Sequence, residues 1–238
     1  MSSAGGRSWT LWRSIKWLFL LSLLLFLAIQ SYFLIQIVWW VGHNPATTSF
    51  MRAQLSVLQQ KNPKAVLQQT WVPYDRISNH LKRAVIASED ANFSEHEGVD
   101  WEALQKAHEK NLKRNKVVSG GSTITQQLAK NLFLSGSRSY LRKGQELIIT
   151  VMLEILMDKR RIFEIYLNVV EFGSGIFGAE AAARHYYNAN AASLGPAQAA
   201  RLAVMLPNPR FFDRNQDSAY LARRSSVIMR RMGSAELP

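Results

Sequence analysis

The chain has 238 residues, 47% of them hydrophobic, enough for one compact domain with an appendage and too few for two large domains. Its 29 Lys and Arg outnumber 17 Asp and Glu, a formal net charge of +12 that favours anionic partners: nucleic acid, phosphate-bearing substrates or an anionic membrane face. No cysteine is present, which excludes a disulfide framework and any thiolate metal site.

In chain order the first informative stretch is residues 17–41, WLFLLSLLLFLAIQSYFLIQIVWWV, with no charged residue. A helix of about 20 such residues crosses a bilayer core. Arg7, Arg13 and Lys16 precede it without any acid, and Trp12, Trp17, Trp39 and Trp40 stand at its two ends as interfacial anchors. A cleaved signal peptide would carry a shorter apolar region, about 7–15 residues, followed by a small-x-small cleavage site. The stretch therefore reads as a retained transmembrane helix. Residues 1–16 become a basic cytoplasmic tail, and everything after Val41 lies outside the membrane. On that side phosphate on lipid head groups or lipid-linked substrates replaces nucleic acid as the expected partner.

Residues 42–65 read as a membrane-proximal linker, punctuated by Pro45 and Pro63, in which Phe50, Leu55 and Leu58 fit a short helix. Residues 71–78, WVPYDRIS, read as extended chain or turn, because the residue before Pro73 avoids the helical region. Ser78 is placed to cap a helix on which Leu81, Ala84, Val85 and Ser88 share a side, ending near Asp90. Residues 99–118 carry Trp101, Leu104, Ala107, His108 and Leu112 at helical spacing, with Lys106, Lys110, Lys113, Arg114 and Lys116 on the other faces. Such a basic amphipathic helix suits a membrane surface or a domain surface equally.

Gly120 and Gly121 then break the chain, Ser122 is placed to cap the next helix, and Ile124, Leu128 and Leu132 carry that helix to about Phe133. LSGSRS is a loop, followed by a helix over 140–157 and another, capped by Asp158, through Asn168. EFGSGIFG, residues 171–178, reads as a glycine-punctuated loop. Helices follow at 179–187, at 196–206 with Pro196 in its first turn, and in a basic tail at 217–232. No stretch alternates with period two for long, so the fold class is mostly α.

Three segments hold polar groups that a plain helical domain does not need. SEDANFSEHEG, residues 88–98, gathers Glu89, Asp90, Glu95, Glu97 and His96. Their spacing matches neither HExxH nor a calcium loop, so no metal site is read there. Glu89 follows Val85 by four residues and Leu81 by eight, which puts it on the apolar side of its helix. It also sits in the last turn, where the dipole disfavours an anion. Both effects raise its pKa towards that of a proton-transfer group. A buried carboxylate can equally serve structure. Asp90, Phe93 and His96 are placed to organise the loop behind it.

GGSTITQQLAKN, residues 120–131, offers close backbone approach at its glycines and free N–H groups at a helix start, with Gln126 and Lys130 on one face. An ordinary capped helix fits the same residues. In SRSYLRKGQELIITVMLE, residues 137–154, Arg138, Arg142 and Lys143 crowd a helix start, a cost unless an anion sits there. Arg142 and Glu146 also have the spacing of a surface ion pair, and Glu154 can reach Lys159 or Arg160.

These segments, with KRRIFEIYLN (159–168), GSGIFGAEAAARHYY (173–187) and LAVMLPNP (202–209), together resemble the peptidoglycan glycosyltransferase family, also called family 51 glycosyltransferases. The resemblance covers roughly residues 66–210, with 211–238 as a basic C-terminal helix of the same domain. No serine is followed three residues later by Lys, and there is no KTG, so the chain is similar to the monofunctional members that lack a transpeptidase.

The resemblance implies a lysozyme-like helical domain with a small membrane-associated jaw, anchored in a bacterial cytoplasmic membrane. It implies transfer of a growing lipid-diphosphate-linked glycan onto the 4-hydroxyl of a lipid-linked disaccharide-peptide, forming a β-1,4 bond with inversion and releasing polyprenyl diphosphate. Glu89 matches the family's base and Glu146 its second glutamate. Lys130, Arg138, Arg142 and Lys143 match the diphosphate-binding positions, and Ser122, Thr123, Gln126 and Gln127 the polar residues near the donor. The expected partners are the lipid-linked substrate, nascent glycan, membrane lipids and other cell-wall synthesis or division proteins, with no nucleic acid. No cofactor is required, and Mg or Mn is a candidate to assist the diphosphate. Phe163 stands where the family's fourth motif usually has leucine, and Glu171 where an uncharged residue is common. A lysozyme-like hydrolase and a non-catalytic anchored scaffold that binds glycan or lipid are the competing readings. The first would have no use for a cationic diphosphate cradle.

Overall fold

The computed structural model describes residues 4–114, 120–134 and 139–238, with side chains from residue 12 onward. Arg138, Lys116 and most of the LSGSRS loop lie outside the described residues. The chain divides into two units, Met1–His43 and Asn44–Pro238.

The first unit is one helix, α1 (Ala4–Gly42). Its span Trp12–Gly42 is 31 residues long and apolar enough to cross a membrane. At 1.5 Å per residue it reaches about 46 Å, more than a hydrocarbon core of about 30 Å requires. Leu18, Phe19, Leu24, Leu25 and Ile35 are all exposed. Every side chain over residues 12–29 is exposed, and an apolar helix of that kind needs an apolar surrounding.

The second unit is built on α7 (Lys159–Val169), whose Ile162, Phe163, Ile165, Tyr166, Leu167 and Val169 are fully buried. Asp158 caps it through the Arg161 N–H at 2.6 Å. α5 (Ile124–Phe133) lies against α7, against α6 (Tyr140–Leu156) and against α2 (Ser49–Lys61). It buries Ile124, Leu128, Ala129 and Leu132. On the other side α3 (Asn79–Glu89) packs against α9 (Pro196–Met205). Ala199, Ala200 and Ala203 on α9 and Ala84 on α3 are fully buried, and small side chains let two helix backbones come close. α11 (Ala219–Arg231) closes over both through buried Leu221 and Ile228. The remaining helices are α4 (Trp101–Arg114), α8 (Ala179–Tyr187) and the short α10 (Pro209–Arg214).

Two readings from the sequence change here. EFGSGIFG is not a loop but a hairpin, β2 (Glu171–Gly173) and β3 (Ile176–Phe177). β3 also pairs in parallel with β1 (Gln68–Gln69), giving the strand order β1-β3-β2 with a register shift between Glu171 and Gly173. Strands of two or three residues are too short to show period-two alternation, and both faces of β2 and β3 are buried. Gly178 after β3 has φ +81°, and a Cβ there would stand 2.6 Å from the Asn168 carbonyl oxygen, so only glycine fits. The second change is the cap of α5, which is Thr123 and not Ser122.

Glu171, unexplained by sequence, now has a role in packing. It is buried, and its carboxylate accepts from Arg210 Nε at 3.0 Å and Nη2 at 3.0 Å. This bidentate pair ties β2 to α10, and burial pushes the Glu171 carboxyl up while Arg210 opposes.

Candidate active site

α3 begins at Ser78, whose hydroxyl accepts the His80 N–H, and ends at Glu89. The chain then turns sharply around Phe93, which is fully buried 5.4 Å from the Phe163 ring. Asp90 holds this turn to the next helix. Its Oδ1 lies 2.9 Å from His96 Nε2, and its Oδ2 accepts the Ile124 N–H at 2.9 Å. Thr123 donates its hydroxyl to the Gly98 carbonyl at 2.6 Å. Asp100 accepts the Ala103 N–H at 2.7 Å and the Asn92 amide at 3.0 Å, which starts α4. Glu95 and Glu97 are exposed.

Asp90, His96 and Asp100 bring possible ligand atoms within 4.8 Å of one another. Each of the four carboxylate oxygens already accepts a hydrogen bond from the chain. These hydrogen bonds tie both carboxylates to the turn, while His96 Nδ1 is buried with no hydrogen-bond partner among the described residues, and we assign no metal there.

Glu89 faces the cleft from the end of α3. Its Oε2 accepts from Gln127 Nε2 at 2.9 Å and its Oε1 from Ser88 Oγ at 3.4 Å. Burial raises its pKa above the ordinary carboxylate range, against the lowering effect of those two hydrogen bonds and of Lys130. Gln127 is fixed from behind, since Tyr166, fully buried on α7, donates its hydroxyl to Gln127 Oε1 at 3.0 Å. The amide group of Gln127 is therefore turned with its N–H towards Glu89, a geometry that favours the ionised carboxylate.

Gln126, the other glutamine of this helix, points elsewhere. It is buried in the α5 capping box, where its Oε1 accepts the Thr123 N–H at 3.2 Å and the Thr123 hydroxyl accepts the Gln126 N–H. Of the four polar residues expected near the donor, Gln127 meets Glu89 and Ser122 meets Lys143, while Thr123 and Gln126 hold the helix start.

Lys130, one turn after Gln127, interacts electrostatically with Glu146, Arg142, Lys143 and Glu89. Burial pushes its ammonium below the ordinary lysine value, and Glu146 opposes this most. Glu146 on α6 is only 3% exposed. It accepts from Arg142 Nη1 at 2.6 Å and pairs with Lys143, whose Nζ also lies 3.5 Å from Ser122 Oγ. This is no surface ion pair: one buried carboxylate gathers two cations beside a third. Arg142 Nε is buried with no hydrogen-bond partner among the described residues. Glu154, placed by sequence near Lys159 or Arg160, takes Lys159 at 2.9 Å and the Thr125 hydroxyl at 2.5 Å, which locks α5, α6 and α7 together.

Tyr166 is the residue that sequence reading missed. It sits in KRRIFEIYLN at a core position, and nothing local distinguishes its hydroxyl from that of any buried tyrosine. Tyr166→Phe is expected to free the Gln127 amide to turn its oxygen towards Glu89, which favours the protonated acid. Asp90 already pushes in that direction, and Lys130 and Ser88 push against it. The acid limb of the pH–rate profile should then move to higher pH, with rate lost more at pH 6 than at pH 8. An unshifted profile would remove the lock.

A half-buried carboxylate of raised pKa beside three cations gathered at a second carboxylate is an arrangement compatible with transfer of a group away from an anionic leaving group. The chain belongs to the transglycosylase family, whose model matches residues 55–233, and its helical domain is lysozyme-like. It is 73% identical over 222 residues to a biosynthetic peptidoglycan transglycosylase of Janthinobacterium sp. (strain Marseille), covering 93% of this chain and 96% of that one. The proteins of the same description from Herminiimonas arsenicoxydans and Methylobacillus flagellatus are 71% identical over 222 residues and 59% over 227. They are covered over 96% and 97% of their own lengths, and cover 93% and 95% of this chain.

Proposed function

We propose that this glycosyltransferase polymerises peptidoglycan glycan from a lipid-linked disaccharide-peptide. The observation that carries the reading is the pairing of Glu89, held by the Gln127 N–H, with the Lys130, Arg142 and Lys143 cations gathered around Glu146.

In this reading Glu89 takes the proton from the acceptor 4-hydroxyl as that oxygen attacks C1 of the donor sugar. The bond from C1 to the diphosphate oxygen breaks with inversion, and polyprenyl diphosphate leaves as an anion. Lys130, Arg142, Lys143 and Arg138 receive its charge, and Ser122 adds a hydroxyl. Glu146 organises this cradle and is not the base. We assign no resident cofactor; Mg or Mn would enter on the diphosphate.

A hydrolase needs a carboxylic acid to protonate a neutral leaving oxygen. The Gln127 N–H aimed at Glu89, and a cradle built for a leaving group already anionic, favour the base. The apolar helix α1 supports membrane anchoring, with the tail before Trp17 cytoplasmic and the catalytic unit outside. Exposed Trp101, Leu104, Leu112, Tyr140 and Leu141 supply an apolar surface suited to a lipid-facing jaw. Boundaries at 17–41, 42–65, 66–210 and 211–238 follow from that assignment.

The test is polymerisation by the detergent-solubilised chain given lipid-linked disaccharide-peptide. Long glycan and free polyprenyl diphosphate are expected. Fragments released from purified cell-wall glycan, with no polymer, would establish the hydrolase instead.

A further inference from the structure

We propose that Arg224 and Arg231, on α11, form an oxyanion-binding subsite for the charged part of the incoming acceptor, in a cavity that Glu89 borders and that Lys130, Arg142 and Lys143 do not line. The proposal rests on the polymerase reading above.

A cavity of about 240 Å³ opens at the end of α3. Glu89, Asp100, Gly121 and Ser122 form part of its wall, and Arg224 and Arg231 close it from α11. None of Lys130, Arg142 and Lys143 lines it. Ser122 also reaches Lys143, so this space adjoins the cradle, and Glu89 borders it together with two further cations. α11 is held in position by Leu221 and Ile228, packed on α3 and α9, so the two arginines project from a fixed element.

Neither arginine makes an ion pair or a hydrogen bond to a side chain among the described residues. This is unexpected beside two aspartates. Asp90 and Asp100 share the cavity wall, but their oxygens already accept from His96, Ile124, Asn92 and Ala103. The guanidinium forks are left for an outside oxyanion, which they can hold through paired N–H donors.

The reaction requires such a place. Donor and acceptor both carry a diphosphate. The donor's departs into the cradle, whereas the acceptor's stays attached while its hydroxyl reaches Glu89. Two dense anions cannot share one cradle, so the acceptor's charge must be received elsewhere. Diphosphate oxygens and the stem-peptide carboxylates offer the same oxyanion chemistry to Arg224 and Arg231. Because this group does not react, its contacts are equal in ground and transition states and act on KM, not on kcat.

The experiment uses the full chain in detergent with lipid-linked disaccharide-pentapeptide, comparing Arg224→Ala, Arg231→Ala and the double variant. Each loss should raise KM roughly tenfold, the scale of one charge-assisted contact, with kcat within about twofold of the parent. Arg→Lys at both positions should recover part of the loss, since charge is kept and the fork is not. Substrate with amidated stem carboxylates separates the sources. If the variants then match the parent, the carboxylate is the ligand; if the difference persists, it is the diphosphate. A parental KM in a double variant that retains the parental melting temperature overturns the subsite, as does a fall in kcat at unchanged KM. Should the alanine variants melt early, Arg224→Gln and Arg231→Gln carry the same test. Absence of polymer from the parent chain would count against the polymerase reading and not against the subsite, which is then read from binding of the lipid-linked substrate to parent and double variant.

Discussion

Glu89→Gln is expected to abolish glycan polymerisation and leave the fold intact. Gln127 can still hydrogen-bond to the new amide, and the side chain keeps its volume, so packing around Phe93 and Ser88 is preserved. On the proposed mechanism the lost function is acceptance of the acceptor proton. A positioned general base contributes about 10²–10⁴-fold, so the variant should fall to or below the detection limit of a chain-formation assay. Stability should move in the opposite direction. Burial raises the Glu89 pKa, so the folded chain binds this proton more readily than the unfolded chain does. The contribution to stability is then fully present below the unfolded carboxylate pKa and is lost as pH rises through the folded one. At neutral pH the ionised, half-buried group is a liability, and the Gln variant should melt at or above the parent temperature. At acid pH, where the parent carboxyl is protonated, the two should converge. The parental rate should rise with pH through the same ionisation. Near-parental polymerisation by the variant would remove Glu89 as the base.

The position of Glu89 at a helix end was legible because every feature that sets it is local: a cap at Ser78, apolar spacing from Leu81 and Val85, and a place in the last turn. The helices were legible for the same reason. Ser78 and Asp158 cap where a short polar side chain precedes an apolar stripe. The choice between Ser122 and Thr123 was a one-residue ambiguity, resolved by the Thr-x-x-Gln capping box that spans Thr123 to Gln126. That single step also decided which glutamine faces Glu89, because adjacent residues on a helix point about 100° apart. The hairpin at Glu171 to Phe177 was hidden by its length. Tyr166 behind Gln127, Arg210 on Glu171, and Arg224 and Arg231 over the cleft depend on contacts between residues 39 or more positions apart. No local period encodes such contacts; they follow from how α7, α10 and α11 pack.

Glu146→Gln should affect both stability and rate, for a reason that differs from Glu89. Glu146 is not placed to take a proton from an acceptor; both of its oxygens are held by cations. Removing its charge leaves Arg142 and Lys143 without their internal anion, and Lys130 with the weaker influence of Glu89. Breaking a buried pair costs about 3–5 kcal/mol. Here Lys143 is half-exposed and can turn outward, which puts the expected loss near the lower end, about 3 kcal/mol by urea denaturation. Lys130 should respond as well, because Glu146 is the largest influence opposing its burial and its ammonium form becomes harder to keep. Polymerisation should fall with it, since the leaving diphosphate meets a disordered and partly uncharged cradle. A structural carboxylate and a cradle organiser are separated by adding inorganic diphosphate. In the parent, diphosphate must compete with Glu146 for Arg142 and Lys143; in the variant it replaces the missing anion. Diphosphate should therefore raise the melting temperature of Glu146→Gln more than that of the parent, and high salt should weaken the difference. Equal stabilisation of both proteins would show that these cations are bound to Glu146 for packing alone and that the leaving group is received elsewhere.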